Sequence, residues 1–118
     1  MTDVTVKHID DLDSYEGRGT FMFARRGLGV TSFGMNVGRW PAGYDGYPDH
    51  DHEQDGQEEI YFVFEGSATL EAGDESFALT PGTFARVGPS QRRKLVPGDD
   101  GVTILAFGGK PGAFEANV

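Results

Sequence analysis

Glu58-Glu59-Ile60-Tyr61-Phe62-Val63-Phe64-Glu65-Gly66 is the stretch that decides how this chain of 118 residues folds. β-Branched and aromatic residues fill it and a glycine closes it, the composition of a strand that ends in a turn. Successive side chains of a strand point to opposite faces. Glu59, Tyr61, Val63 and Glu65 therefore share one face, and Ile60, Phe62 and Phe64 the other. Both faces are apolar in the middle, which predicts burial on both sides. Seven residues before Glu59 ends the triplet His50-Asp51-His52, two imidazoles spaced to lie on one side of an extended segment. With Glu59 they offer two nitrogens and one oxygen, a donor set that suits iron, manganese, nickel, zinc or copper.

The rest of the chain reads as short strands between turns. Residues 4–9, 21–23 and 30–40 are strand candidates; in the last, Phe33, Met35 and Val37 alternate with Ser32, Gly34 and Asn36. Residues 41–48 are loop by composition, and residues 53–57 a connection. After Gly66 come strands at 67–71, 76–79, 83–87, 93–96 and 102–107, separated by turns at 72–74, 81–82 and 88–90 and by a break at 97–101. Residues 108–118 read as a tail. No stretch carries a capped amphipathic helix. The pattern predicts one all-β domain over residues 1–118, a sandwich or barrel.

Composition excludes several functions. With no cysteine there is no disulfide and no thiolate metal site. A formal charge of −9 argues against a nucleic-acid partner, which needs clustered Lys and Arg. No Lys or Arg lies between Trp40 and Ala85, where eleven acidic residues fall, so the centre of the chain attracts cations. The start, Met1-Thr2-Asp3-Val4, lacks a basic and an apolar region of secretory type, and no apolar run reaches membrane-spanning length. A cytoplasmic protein is the expectation.

Pro41-x-Gly43, His50-x-His52 and Glu59 with Gly66 after six intervening residues resemble the first motif of the cupins, here about residues 43–66. The spacer from His52 to Glu59 is six residues where that family has three or four, and the extra length falls in the loop at 53–57. The resemblance implies a cupin-type double-stranded β-helix, a jelly-roll barrel of two antiparallel sheets. It further implies a divalent transition metal (Fe, Mn, Ni or Zn) on His50, His52 and Glu59, and a homodimer. A second, degenerate motif spans about residues 82–97. Its usual metal-ligating histidine falls on Arg93, and no histidine follows His52. Arginine cannot ligate a metal.

Two readings of Arg93 follow. It stands beside a metal held by the other three residues and pairs with an anionic substrate, or it points inward and pairs with Glu59 in place of the ion. A shift of one residue would put Arg92 inward instead, and Arg86 is a further candidate. Tyr61, Val63, Arg93 and Leu95 are the expected ligand-lining neighbours by alternation. Trp40, Tyr44 and Tyr47 are expected at the pocket mouth or in the core, and His8 on the surface. Asp51-x-Glu53-x-Asp55-Gly56 resembles an EF-hand start, but its twelfth position is Phe62, so it is rejected. The functional expectation is a metal enzyme of dioxygenase, isomerase or decarboxylase type acting on a small polar or acidic molecule. The alternative is a metal-free module binding a small anionic ligand, with Arg93 in place of the missing histidine.

Overall fold

Gly66 bends the central strand and does not end it. In the computed structural model, which describes residues 2–115, the strand runs on as β3, Glu58–Ala72. Gly66 has φ of 70°, and a Cβ there would lie 2.1 Å from the carbonyl oxygen of Gly101, so only glycine fits. The other strands are β1 (Phe21–Met22), β2 (Gly34–Trp40), β4 (Glu75–Leu79), β5 (Phe84–Val87) and β6 (Lys94–Gly109). They pair antiparallel in the order β1-β2-β6-β3-β4, with β5 on the first half of β3. Gly73, with φ of 61°, supplies the positive angle that the two-residue hairpin from β3 to β4 requires.

The break expected at 97–101 is a bulge within β6. Pro97 pairs with Ala68 and Val102 with Gly66, so residues 98–101 loop out opposite Ser67 and the ladder then resumes. The tail begins later than expected because β6 takes in Gly108 and Gly109; residues 116–118 lie outside the described residues. No strand forms at 4–9: Ile9–Asp11 is a 3-10 turn, and Val4 and Val6 are exposed with no ladder to join. The strand expected from residue 30 starts at Gly34. One short helix, α1 (Ala24–Leu28), lies between β1 and β2, and five residues are too few to show helical periodicity in the sequence.

The sheet wraps around one core. Tyr61, Val63, Ala68 and Leu70 of β3 meet Trp40, Leu79, Val87, Leu95, Val102 and Ile104 in a single buried cluster. On the outer face of β2 and β6, Val37 and Leu105 are covered by Met22, Ala24, Ile9 and Leu12 of the N-terminal segment and α1. The all-β antiparallel architecture expected from the sequence is therefore present. Burial of β3 on both faces is not: Ile60 and Phe62 are half-buried and Phe64 is 55% exposed. None of the nine Phe is buried in the core. The covering segment stops at β6; Phe33 and Phe114 border a groove that reaches Ile60, while Phe64 and Phe84 on the outer face of β3 and β5 stay exposed.

Candidate metal centre

Backbone pairing places the site. Residues 50–52 are extended but belong to no long ladder; His50 and Arg93 exchange both backbone hydrogen bonds, at 3.0 and 2.8 Å. The His52 N–H donates to the Pro89 carbonyl at 2.9 Å. The turn before β6 thus holds the histidine segment against the mouth of the barrel, and Glu59 arrives from the inner face of β3. His50, His52 and Glu59 bring their ligand atoms within 4.8 Å of one another and could hold a metal, the single such group of His, Asp and Glu among the described residues.

The ring orientations fit that role. His50 Nδ1 lies 2.9 Å from the Pro48 carbonyl oxygen, an obligate acceptor, so Nδ1 carries the proton. His52 Nδ1 lies 3.1 and 3.2 Å from the two Asp55 carboxylate oxygens and donates likewise. That leaves Nε2 of each ring facing the carboxylate, 3.8 Å (His50) and 3.5 Å (His52) from Glu59 Oε1. Ligand atoms around one ion at roughly 2.0–2.1 Å stand about 3–3.5 Å apart. Metal sites use such an acceptor behind the ring to fix the tautomer of a histidine ligand. Asp55 is itself held well below the usual carboxylate range by the Gln57 backbone N–H and the His52 ring.

Arg93 bonds the same Glu59 oxygen that the two histidines face. Its side chain is fully buried, and Nη1 donates to Glu59 Oε1 at 2.8 Å. Nε and Nη2 donate to the carbonyls of Gln91 and Gly88 at 2.9 and 2.7 Å. Arg92 and Arg86 face solvent, paired with Asp49 and Glu58 respectively. The Tyr61 hydroxyl also donates to Glu59 Oε1, at 2.5 Å, and having spent its proton it accepts from Tyr47 at 2.6 Å. Burial raises both phenols above the ordinary tyrosine range, with Tyr47 and Glu59 adding to the effect at Tyr61 and Glu59 at Tyr47. The result is a chain Tyr47–Tyr61–Glu59–Arg93 in which every proton is held in place.

Above the histidines lies a cavity of about 290 Å3. Trp40, Tyr44 and Tyr47 form one wall: Tyr44 stacks on Trp40 at 5.7 Å between ring centroids and 15°, and Tyr47 leans on it at 5.0 Å and 42°. Phe21, Asn36 and Ala106 complete the lining, with His50, His52 and Glu59 at the base. Glycine makes the wall: a Cβ at Gly38 would meet the Trp40 ring at 2.4 Å, and one at Gly46 the Tyr44 ring at 2.4 Å. Two buried side-chain atoms lack a protein partner among the described residues, Trp40 Nε1 and His52 Nε2, and both belong to residues lining this cavity. A larger groove of about 760 Å3 elsewhere holds Arg18 and Arg39, already paired with Glu16 and Asp10.

The structure thus brings His50, His52, Glu59, Tyr61 and Arg93 together. Val63 and Leu95 lie in the core beneath, and of the four expected lining residues Tyr61, Val63, Arg93 and Leu95 none lines the cavity itself; Tyr61 and Arg93 reach it only through Glu59. Sequence reading misses Asp55, whose signal was its place three residues after His52, and Phe21, Asn36 and Ala106, which only the sheet register brings near.

No family model and no curated protein matches the sequence. Solved structures match the fold. A cupin protein from Bacteroides fragilis superposes with a TM-score of 0.75 at 19% identity, over 100% of this chain and 93% of that one. A sugar phosphate isomerase of the cupin superfamily from Silicibacter pomeroyi gives 0.67 at 24% identity, over 76% of this chain and 58% of that longer one. KdgF from a Halomonas species gives 0.56 at 20% identity, over 65% and 69%.

Proposed function

On this cupin fold, we propose that residues 1–118 act as one metal-dependent enzyme domain, with a divalent transition metal on His50, His52 and Glu59 and a small-molecule substrate in the cavity above. One observation carries the reading: two half-buried imidazoles, each with Nδ1 tied down, turn Nε2 toward one carboxylate oxygen, and that of His52 has no hydrogen-bond partner among the described residues. A metal held there supplies Lewis-acid polarisation of a substrate oxygen. The chain's own residues do the rest. Pro48 and Asp55 orient the rings, the Trp40–Tyr44–Tyr47 wall excludes water, and Tyr47 and Tyr61 hold protons in line with Glu59. Among dioxygenase, isomerase and decarboxylase chemistry, a fixed phenol–carboxylate chain best suits isomerisation, which moves a proton from one substrate atom to another.

The test is metal content. Protein purified without added ions and then supplied with iron, nickel, manganese or zinc should retain one ion per chain, and His50→Ala or His52→Ala should abolish retention. Protein that stays empty with all four sinks the reading. The 2.8 Å ion pair of Arg93 with Glu59 favours a second reading, a metal-free binding module in which Arg93 balances the carboxylate permanently; it takes over if that happens.

The same reading takes the protein as a homodimer. Ile60, Phe62, Phe64 and Phe84 line an uncovered sheet face, with Phe64 at 55% and Phe84 at 69% exposure. A stable interface needs about 800 Å2 per partner, and a Phe side chain supplies roughly 150–250 Å2 when buried. A second copy of the same face would bury these side chains as the apolar centre of such an interface, with the surrounding rim supplying the remaining area.

A further inference from the structure

Two features of the wall and base constrain what kind of molecule the cavity takes. The first is charge. Among the described residues no Lys or Arg lines the cavity; its polar groups are Asn36, the two histidines, Glu59 and the phenols of Tyr44 and Tyr47. Arg93, the one guanidinium near the base, is fully buried, and its Nε, Nη1 and Nη2 are each committed to a protein oxygen. A phosphate or a second carboxylate on the ligand would have no cationic side chain to meet it, against the rule that such groups are recognised by Arg or Lys forks.

The second feature is the wall. Gly38 and Gly46 leave room for the Trp40 and Tyr44 rings to stack, and Tyr47 closes against them and against His50, whose ring centroid is 5.2 Å away. The volume of about 290 Å3 sits at the lower end of small-molecule cavities.

The geometry points to a small planar, oxygen-bearing molecule without a phosphate group as the ligand, lying flat against the Tyr44–Tyr47 side of the wall with an oxygen toward the histidine base. The inference rests on reading this cavity as the ligand site, but it does not need the metal for its own test. It separates the protein from any enzyme that grips a phosphorylated sugar, whatever the shared fold.

Trp40 is the only tryptophan, so its fluorescence reports the cavity directly. Metal-free and zinc-loaded protein are titrated with phenol and with glucose 6-phosphate, under tryptophan-selective excitation. Phenol should change Trp40 emission saturably in both forms, and glucose 6-phosphate should bind at least tenfold more weakly or not at all. Tyr44→Ala should weaken phenol by about five- to tenfold, and Tyr44→Phe, which keeps the ring, should bind it like the parent. Circular dichroism of both variants checks that they fold. Glucose 6-phosphate binding as tightly as phenol, absence of phenol binding, or equal affinity in parent and a folded Tyr44→Ala overturns the inference. Metal retention is measured separately: phenol binding by protein that retains none of the four metals sinks only the metal reading, and metal retention without phenol binding sinks only this one.

Discussion

The two faces of β3 invert the usual division between core and surface. The inner face carries Glu59 and Tyr61, a carboxylate and a phenol, sealed in with the guanidinium of Arg93. The outer face carries Ile60, Phe62 and Phe64, which solvent reaches. Hydrophobicity therefore does not separate inside from outside here. The inner polar groups are tolerated because each is satisfied by the next, and the outer apolar groups are the ones the proposed second copy would cover. Buried polar groups cost little when fully paired and a great deal when one partner is removed.

That contrast can be broken most forcefully at Arg93. Arg93→Met leaves Glu59 charged and unpaired, and should cost about 3–5 kcal/mol in urea unfolding. Adding Glu59→Gln should recover most of that loss, and a double variant no better than the single one would show that the pair is not the source. A purely apolar deletion on the same side comes next. Leu95→Ala, in the core cluster, should cost about 2–5 kcal/mol through the cavity it leaves.

Tyr61→Phe tests the polar ladder more gently. It takes the donor from Glu59 and the acceptor from Tyr47, for a loss of roughly 1–3 kcal/mol. The same ladder has an alkaline signature. Both phenols have raised folded pKa values, so their contribution is complete below the ordinary tyrosine value and is lost as pH rises toward the folded ones. Their tyrosinate absorbance should appear late, together with loss of near-ultraviolet dichroism, and Tyr61→Phe should shrink that late step. The outer face should respond least. Phe84→Ser should change protomer stability by less than about 0.5 kcal/mol, yet shift sedimentation from dimer to monomer; an unchanged sedimentation coefficient would remove the outer face as an interface.

The fold was legible where residues act in series along one strand. Glu59, Tyr61 and Val63 could be assigned to a common face from alternation alone, and the structure keeps them there. Alternation could not tell which face had company, because the cover over Val37 and Leu105 comes from residues 9–24, remote in sequence. The turn-forming run at 97–101 misled for a related reason: Gly98 and Gly101 mark a bulge as well as an end, and only the partner strand decides. At the site, counting from the second motif reached Arg93, and the pairing sets it directly opposite His50. Asn36 and Phe21 gave no such signal, since they reach the cavity through the register of β1 and β2 with strands far along the chain.

The turn at residues 88–91 has a bearing on how the chain tolerates editing. Three of its carbonyls, from Gly88, Pro89 and Gln91, are each bonded to the histidine segment or to Arg93. An ordinary surface turn spends its carbonyls on water and accepts inserted residues readily. This one is a docking template, and a peptide spliced into it would displace both ends of the ligand set at once. The hairpin at Gly73-Asp74 makes no such contacts and is the place for a tag, a label or a grafted loop.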